Sequence, residues 1–228
     1  MGAAGLSLGA CTTLSPRKLS ANDRLNIGLI AVAGRAAGNI AGVQGENIVA
    51  ICDVDANNLA KAALQFPKAR QHRDFRRLLE QRDLDAVVIS TPDHSHAVAT
   101  VAALQRGLHV YCEKPLTHTV SEARIVSAVA RRAGRATQMG NQIHASTNYR
   151  RVVELVKSGA IGPVAQVHVW TSAIYGNLTP VAPTPPPAHL DYDLWIGPQK
   201  LRPHRSQYVP FHWRNFWAFG GGTLADFW

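Results

Sequence analysis

The chain has 228 residues, of which 46% are hydrophobic and 17% are charged, and its formal net charge is +9. This length and composition are typical of a globular protein with one complete domain and part of another. The basic residues are scattered and are dense only at 68–77 and 131–135, where they indicate solvated helix faces and exclude a nucleic-acid track. No apolar run is long enough to span a bilayer, and Cys52 and Cys112 are expected to be buried free thiols.

The first 23 residues form a tail with two interpretations. Residues 8–11 (LGAC) resemble a lipoprotein cleavage box, although no charged segment precedes them. The tail is either the remnant of an export signal or a flexible segment that ends in a linker. The protein is correspondingly either exported to the periplasm or cytoplasmic.

Between residues 24 and 145, short apolar runs alternate with segments of helical periodicity. Asp55 is positioned to cap one helix, and Thr119 with Glu122 forms a capping box for another. The alternation predicts a doubly wound parallel sheet of the α/β class. The predicted strands are 25–32, 48–52, 86–89, 109–112 and 136–139, and the predicted helices are 35–43, 56–65, 74–80, 97–106 and 120–133.

The pattern changes in residues 146–228, for which we expect a second and incomplete domain. An amphipathic helix is predicted at 147–158, and alternation at 164–170 predicts an antiparallel strand. Residues 178–189 are rich in proline and are expected to form an extended surface arm. The chain stops in an apolar aromatic run, so we expect it to be truncated.

The loop after the first predicted strand lies at the sequence position of a dinucleotide-binding loop, but it has alanines where such a loop has glycines. The pattern G-x-G-x-x-G puts Ala31, Ala33 and Ala36 at the glycine positions. An alanine at positive φ costs about 1–2 kcal/mol, and the Ala33 methyl would approach the pyrophosphate, so we expect impaired binding. Asp53 follows at about the right distance, roughly 20 residues on, for the ribose hydroxyls. Its carboxylate favours NAD over NADP, and its alternative role is that of a cap for a loop or helix.

The segment LHVYCEKPL (108–116) puts charged residues at the end of a strand. In a parallel sheet, ligands bind beyond the carboxyl ends of the strands, which is where Glu113 and Lys114 lie. A lysine there can donate a proton to a substrate oxygen. A surface salt bridge at a strand end is the alternative interpretation. The peptide bond before Pro115 is a candidate for the cis form, since only X-Pro bonds adopt cis at low cost.

Several motifs together resemble the Gfo/Idh/MocA family of oxidoreductases, in its exported bacterial type. They are ICDVD (51–55), STPDHSHA (90–97), HVYCEKPLTHTVSEA (109–123), QMGNQ (138–142), GAIGPV (159–164) and DYDLWIGP (191–198). The resemblance implies an NAD-binding Rossmann domain over 24–145. It also implies a substrate and oligomerisation domain over 146–228, which would contain an open, mostly antiparallel sheet.

The resemblance also implies roles for single residues. Lys114 matches the catalytic lysine of the EKP motif, and Asp226 matches the aspartate of GGG-x-L-x-D-x-x-x-H, whose histidine would follow Trp228. His94 and His96 lack a third ligand, so no metal site is expected. The expected cofactor-binding residues are Ala31, Ala33, Gly34, Arg35, Asp53, Thr91, Pro92, His94, Glu113, Asn141 and Gln142.

Three functions remain open from the sequence. The first is hydride transfer between NAD and a hydroxyl carbon of a sugar or cyclitol, and the second is a redox-neutral, NAD-retaining glycosidase of the same family. The third is a truncated product with little or no activity, because the loop glycines and the acid/base histidine are missing. A full-length protein is expected to be a homo-oligomer that contacts its partner through the sheet face of the second domain.

Overall fold

The computed structural model describes residues 20, 22–141, 143–176 and 178–227. Most of the tail assigned to residues 1–23 therefore lies outside the described residues, as does Gln142. The described residues include a six-stranded sheet in the order β3-β2-β1-β4-β5-β6, in which all pairs are parallel. The strands are β1 (Asn26–Ile30), β2 (Asn47–Cys52), β3 (Arg70–His72), β4 (Ala86–Ile89), β5 (His109–Glu113) and β6 (Thr137–Gly140).

This topology confirms the predicted doubly wound α/β fold. The strand order reverses beside β1, which pairs with β2 on one side and with β4 on the other. Such a reversal creates a crevice at the carboxyl ends of the strands, where ligands bind. The helices are α1 (Ala36–Val43), α2 (Ala56–Gln65), α3 (Phe75–Leu78), α4 (Asp93–Gln105), α5 (Val120–Ala133), α6 (Thr147–Lys157), α7 (Tyr192–Ile196) and α8 (Gly222–Phe227), with a 3₁₀ turn at His212–Asn215.

Local sequence signals account for several of these boundaries. The Asp55 side chain caps α2 by accepting hydrogen bonds from the N–H groups of Asn57 and Asn58. Thr119 and Glu122 form the predicted capping box of α5, and Gly134 ends that helix at a φ of 59°. The central strands are apolar on both faces, since Leu29 packs in one core cluster and Ile30 in the other. Cys52 and Cys112 are buried free thiols, as predicted.

The strand predicted at 164–170 is wrong. These residues have no regular secondary structure, and Val167 and Trp170 are 72% and 82% exposed. A strand needs a partner for its backbone groups, and none of the described residues pairs with this segment. The described part of the chain therefore contains no antiparallel sheet. Helix α6 has no buried residue, because nothing among the described residues covers its apolar face.

The segment after residue 188 packs against the carboxyl edge of the parallel sheet. The N–H of Ala56 donates to the carbonyl of His189 at 2.9 Å, and the N–H of Asp191 donates to the carbonyl of Val54 at 2.9 Å. Arg73 donates to the carbonyls of Val54 and His189. The segment builds a third core cluster from Leu190, Tyr192, Trp195, Ile196, Tyr208, Trp213 and Phe219.

No helix within the described ranges has both the length and the apolar composition needed to cross a membrane.

Candidate active site

The backbone of the loop after β1 has the shape that glycine would favour. Ala31 has a φ of 67°, and within the described ranges it is the one residue other than glycine with a positive φ. The N–H of Ala31 donates to the carbonyl of Cys52 at 2.9 Å, which holds the loop against β2. Gly34 has a φ of 61°. The strain expected from replacing glycine is therefore located at Ala31, at about 1–2 kcal/mol.

Asp53 holds this loop in place from the end of β2. Its carboxylate accepts hydrogen bonds from the N–H of Val32 at 3.1 Å and from the N–H of Asp55 at 2.9 Å. Burial, with a smaller contribution from the Asp55 charge, raises the pKa of Asp53 above its usual value. Asp53 thus caps the loop, while Asp55 caps the helix.

The loop offers groups that fit a dinucleotide. No acceptor within the described chain receives a hydrogen bond from the N–H groups of Ala33, Gly34 or Arg35, which immediately precede α1. Such N–H groups at the N-terminus of a helix bind phosphate. A cavity of about 280 Å³ adjoins the loop, and its lining residues are Val32, Ala33, Asn58, Lys61, Ala62 and Gln65. The geometry of the loop backbone is compatible with a pyrophosphate, and the Asp53 carboxylate lies next to this loop at the end of β2.

Arg35 connects the loop to the end of β5. Its Nε lies 3.1 Å from Oε1 of Glu113, which is 3% exposed. Gly140 in β6 permits this packing, because a Cβ there would lie 2.9 Å from Oε1 of Glu113 and 2.7 Å from Oη of Tyr111. Asn141 follows at the same edge and is exposed.

Lys114 forms an ion pair with Asp226, although the two residues are 112 positions apart in the sequence. The Lys114 ammonium also donates to the carbonyl oxygen of Asp226 at 2.7 Å. The two side chains are 25% and 10% exposed, so this is a largely buried pair rather than the surface salt bridge of the alternative interpretation. The Lys114–Pro115 bond is cis. The structure thus brings together the two residues to which the sequence assigned catalysis.

Two further residues contact the Asp226 carboxylate. The Nε of Arg214 lies 3.6 Å from Oδ2 of Asp226, and its guanidinium stacks on the rings of Trp213 and Phe211. The pKa of Tyr175 is raised by burial and by the charge of Asp226. Sequence reasoning missed both residues, since neither belongs to a motif and only the tertiary fold places them here.

The residues after β4 have unequal access to a ligand. The Nε2–H of His94 donates to the carbonyl of Trp195 at 2.9 Å, and the ring packs on Trp195 and Phe219. Burial lowers the pKa of His94 to about 4, so the ring is neutral. His94 is 0% exposed, and in this arrangement it supports the aromatic cluster and offers no surface to a cofactor. Thr91 and Pro92 are partly exposed at the carboxyl edge.

His96 connects the loop after β4 to the segment after β5. Its ring nitrogens lie 2.7 Å from the carbonyl oxygens of Thr91 and Pro115. The ring therefore fixes the backbone on both sides of the crevice, one residue away from Lys114. Within the described residues, no group of three His, Cys, Asp or Glu side chains is placed to hold a metal ion.

Comparison with known proteins identifies two matching family models. The model described as the oxidoreductase family with an NAD-binding Rossmann fold matches residues 26–141. The model of the family's C-terminal alpha/beta domain matches residues 145–228.

Individual relatives are similar over part of their length. Inositol 2-dehydrogenase of Salmonella typhimurium is 30% identical over 128 residues, which are 55% of this chain and 38% of that protein. A 1-carboxy-3-chloro-3,4-dihydroxycyclo hexa-1,5-diene dehydrogenase of Comamonas testosteroni is 35% identical over 53% of this chain and 30% of its own length.

A solved structure shares the fold. Scyllo-inositol dehydrogenase of Lactobacillus casei, with bound NAD(H) and scyllo-inositol, aligns with a TM-score of 0.58 and 26% identity. The alignment covers 61% of this chain and 43% of that chain. The chain spans less than half the length of these relatives. Since the two family models cover residues 26–141 and 145–228, the chain belongs to the Gfo/Idh/MocA family of oxidoreductases.

Proposed function

We propose that the protein is an NAD-dependent oxidoreductase that acts on a hydroxyl carbon of a sugar or cyclitol. The observation that carries this proposal is the buried Lys114–Asp226 pair, which lies at the carboxyl edge of a parallel sheet next to a dinucleotide-type loop. The inositol dehydrogenases among the relatives support the class of substrate.

Each residue of the pair has its own role in this reaction. When bound, NAD supplies a nicotinamide that exchanges hydride with the substrate carbon. Lys114 donates a hydrogen bond to the substrate oxygen and stabilises the negative charge that forms there as the hydroxyl loses its proton to the acid/base histidine that the family resemblance implies, and this role requires the ammonium to point into the crevice. Asp226 fixes the direction of the ammonium, which it contacts through both its carboxylate and its carbonyl oxygen.

The remaining assigned residues hold the cofactor. The backbone at Ala31, Ala33, Gly34 and Arg35 faces the pyrophosphate, and Asp53 selects NAD over NADP because a carboxylate repels a 2′-phosphate. Thr91, Pro92, His94, Glu113, Asn141 and Gln142 complete the proposed cofactor site, and His94 contributes through its support of the neighbouring segment.

The proposal includes a domain division at about residue 145 and self-association. The support for self-association is the apolar face of α6, where Val152, Val153, Leu155 and Val156 are 40–49% exposed. Sedimentation of the protein at increasing concentration tests this point, and a monomer at every concentration would contradict it.

Fractionation of the producing cells distinguishes an exported from a cytoplasmic location.

The function itself is tested with a panel of free cyclitols, free sugars and aryl glycosides. We expect NADH to form with a free cyclitol or sugar in proportion to the product. Release of the aglycone without net NADH would assign the chain to the redox-neutral glycosidases instead. No turnover with any compound, together with no NAD binding by calorimetry, would support the third possibility of an inactive product.

A further inference from the structure

A second acidic side chain, Asp93, is buried against the turn that carries Arg214, whose Nε lies 3.6 Å from the Asp226 carboxylate. Asp93 is the first residue of α4 and is 5% exposed. Its Oδ2 lies 3.4 Å from the position that a Cβ on Gly220 would occupy, and the same position is 3.3 Å from the Cα of Arg214. The glycine therefore lets the turn that carries Arg214 pack directly against the Asp93 carboxyl.

The groups that face Asp93 come from every element packed around it. The charges of Asp226 in α8, Arg214 in the 3₁₀ turn and Lys114 after β5 act on its carboxyl. Tyr175 and the Cys112 thiol also face it. Burial lowers the pKa of His94, the next residue in α4, to about 4, and it also lowers the pKa of His96, whose two ring nitrogens each lie 2.7 Å from a carbonyl oxygen. The cluster thus contains two carboxyls, one ammonium and one guanidinium.

Two carboxyls buried in one cluster oppose each other's ionisation near neutral pH, because the second negative charge has to form in the field of the first. Asp226 is the one that receives both the Lys114 ammonium and the Arg214 guanidinium, so the negative charge resides there. Burial and the Asp226 charge raise the pKa of Asp93 to about 7, and the cations Arg214 and Lys114 oppose this rise. The proton of the pair therefore resides on Asp93.

We propose that Asp93 is a positioning residue that holds one proton beside Asp226 and thereby keeps Asp226 the anion that orients Lys114. Because Lys114 and Asp226 act on a substrate only in the reaction described above, this role rests on the proposed function. With Asp93 neutral, Lys114, Arg214 and Asp226 carry one net positive charge next to the substrate oxygen, which becomes negative as its proton leaves. Ionisation of Asp93 removes that net charge.

The proposal is tested directly by carboxyl titration. Aspartate labelled with ¹³C at the side-chain carboxyl is incorporated, and the carboxyl resonances are followed by NMR between pH 4 and 9 in the wild type, in Asp93→Asn and in Asp83→Asn. Asp83 is an exposed aspartate outside the cluster. We expect one aspartate to titrate near pH 7 in the wild type and in Asp83→Asn, and no such titration in Asp93→Asn.

A second variant tests the sharing of the proton, and it also serves if Asp93→Asn does not fold. Asp226→Asn removes the neighbouring negative charge and leaves both cations, so the Asp93 titration moves down by about one pH unit or more. An unchanged titration in Asp226→Asn, or no aspartate that titrates near pH 7 in the wild type, would overturn the proposal.

Kinetics separate this proposal from the proposed function. Where turnover is measured, we expect the wild-type dependence of kcat/KM on pH to have a transition near pH 7 that Asp93→Asn lacks. The same transition in both proteins would overturn the role of Asp93. Absence of NADH formation at every pH, with the carboxyl titration intact, would instead overturn the proposed function.

Discussion

The side chains of Arg35 and Glu113 form an ion pair with an Nε to Oε1 distance of 3.1 Å, which joins the loop after β1 to the last residue of β5. Glu113 is buried, and its other oxygen, Oε2, has no hydrogen-bond partner among the described residues. The next residue is Lys114. The pair therefore connects the proposed cofactor loop to the proposed catalytic lysine.

Removal of Arg35 is expected to leave the Glu113 carboxylate buried without a cation. We expect Arg35→Met to lower the free energy of unfolding in urea by on the order of 1–3 kcal/mol, less than for a fully buried pair because the Arg35 side chain is 41% exposed. The double variant Arg35→Met/Glu113→Gln should recover part of this loss, since no charge remains unpaired. In the control Arg76→Met, which breaks an exposed pair with Asp74, the change should stay within about 1 kcal/mol. Equal losses in the two single variants would contradict the role of the Arg35–Glu113 pair.

Two substitutions separate strain in the loop from crowding of the pyrophosphate. Ala31→Gly removes the free-energy cost of a positive φ at a residue with a side chain. This gain is larger than the free-energy loss that comes from the greater flexibility of glycine in the unfolded chain, so we expect stability to rise by about 0.5–1 kcal/mol. Ala33→Gly should leave strain unchanged, because Ala33 has no positive φ, and should tighten NAD binding measured by calorimetry. An unchanged Kd in Ala33→Gly would rule out crowding by its methyl group.

A methyl group at Gly140 is expected to clash with Tyr111 and Glu113. The clash involves a buried carboxylate that cannot move away freely, so Gly140→Ala should lower stability by about 1–3 kcal/mol. The matched control is Gly42→Ala in α1, where a Cβ meets nothing within 4 Å. There the same substitution should raise stability by roughly 0.5–1 kcal/mol through helix propensity. Thermal unfolding of both variants measures the difference in sign, and a neutral Gly140→Ala would contradict the close packing.

The raised pKa of Asp93 makes stability depend on pH. The native state holds this proton up to a pKa of about 7 and the unfolded state only up to 3.8. The stabilisation that the protonated Asp93 gives to the native state is therefore fully present below pH 3.8 and is lost as the pH rises towards 7. Its upper bound is about 4 kcal/mol. His94, whose pKa is lowered to about 4, acts in the opposite direction, because stability from a histidine buried in its neutral form is gained as the pH rises from about 4 to 6.5.

The difference between wild type and Asp93→Asn isolates the aspartate, since His94 contributes equally to both proteins. We expect urea unfolding to show that the free energy of unfolding of the wild type, minus that of the variant, decreases as the pH rises from 4 to 8. A constant difference over this range would contradict the raised pKa.

Much of the fold was predictable because its signals are local. The apolar strand runs, the Asp55 cap and the Thr119–Glu122 capping box each depend on neighbours within a few residues, and all appear in the structure. Strand β3 was missed because Arg70–His72 is short and polar and depends on pairing with β2. The strand predicted at 164–170 has the right alternation, but alternation gives no strand without a partner.

The site was predictable to the extent that motifs mark it. Lys114 and Asp226 come from separate motifs, and the fold brings them together. Arg214 and Tyr175 reach the Asp226 carboxylate through long-range packing that leaves no pattern in the sequence. For Asp93, the sequence shows only a polar residue at a helix start, and its electrostatic role arises from burial next to Asp226.

The central claim is that Lys114 acts on the substrate and does not hold the cofactor, and Lys114→Met tests it most directly. Turnover with the best cyclitol or sugar and NAD binding by calorimetry are measured for the wild type, for Lys114→Met and for the exposed control Lys68→Met. We expect turnover in Lys114→Met to fall by about 10²-fold or more, while the Kd for NAD stays within about threefold and Lys68→Met resembles the wild type in both respects. Retained turnover in Lys114→Met, or a loss of NAD binding that accounts for the loss of turnover, would contradict the claim.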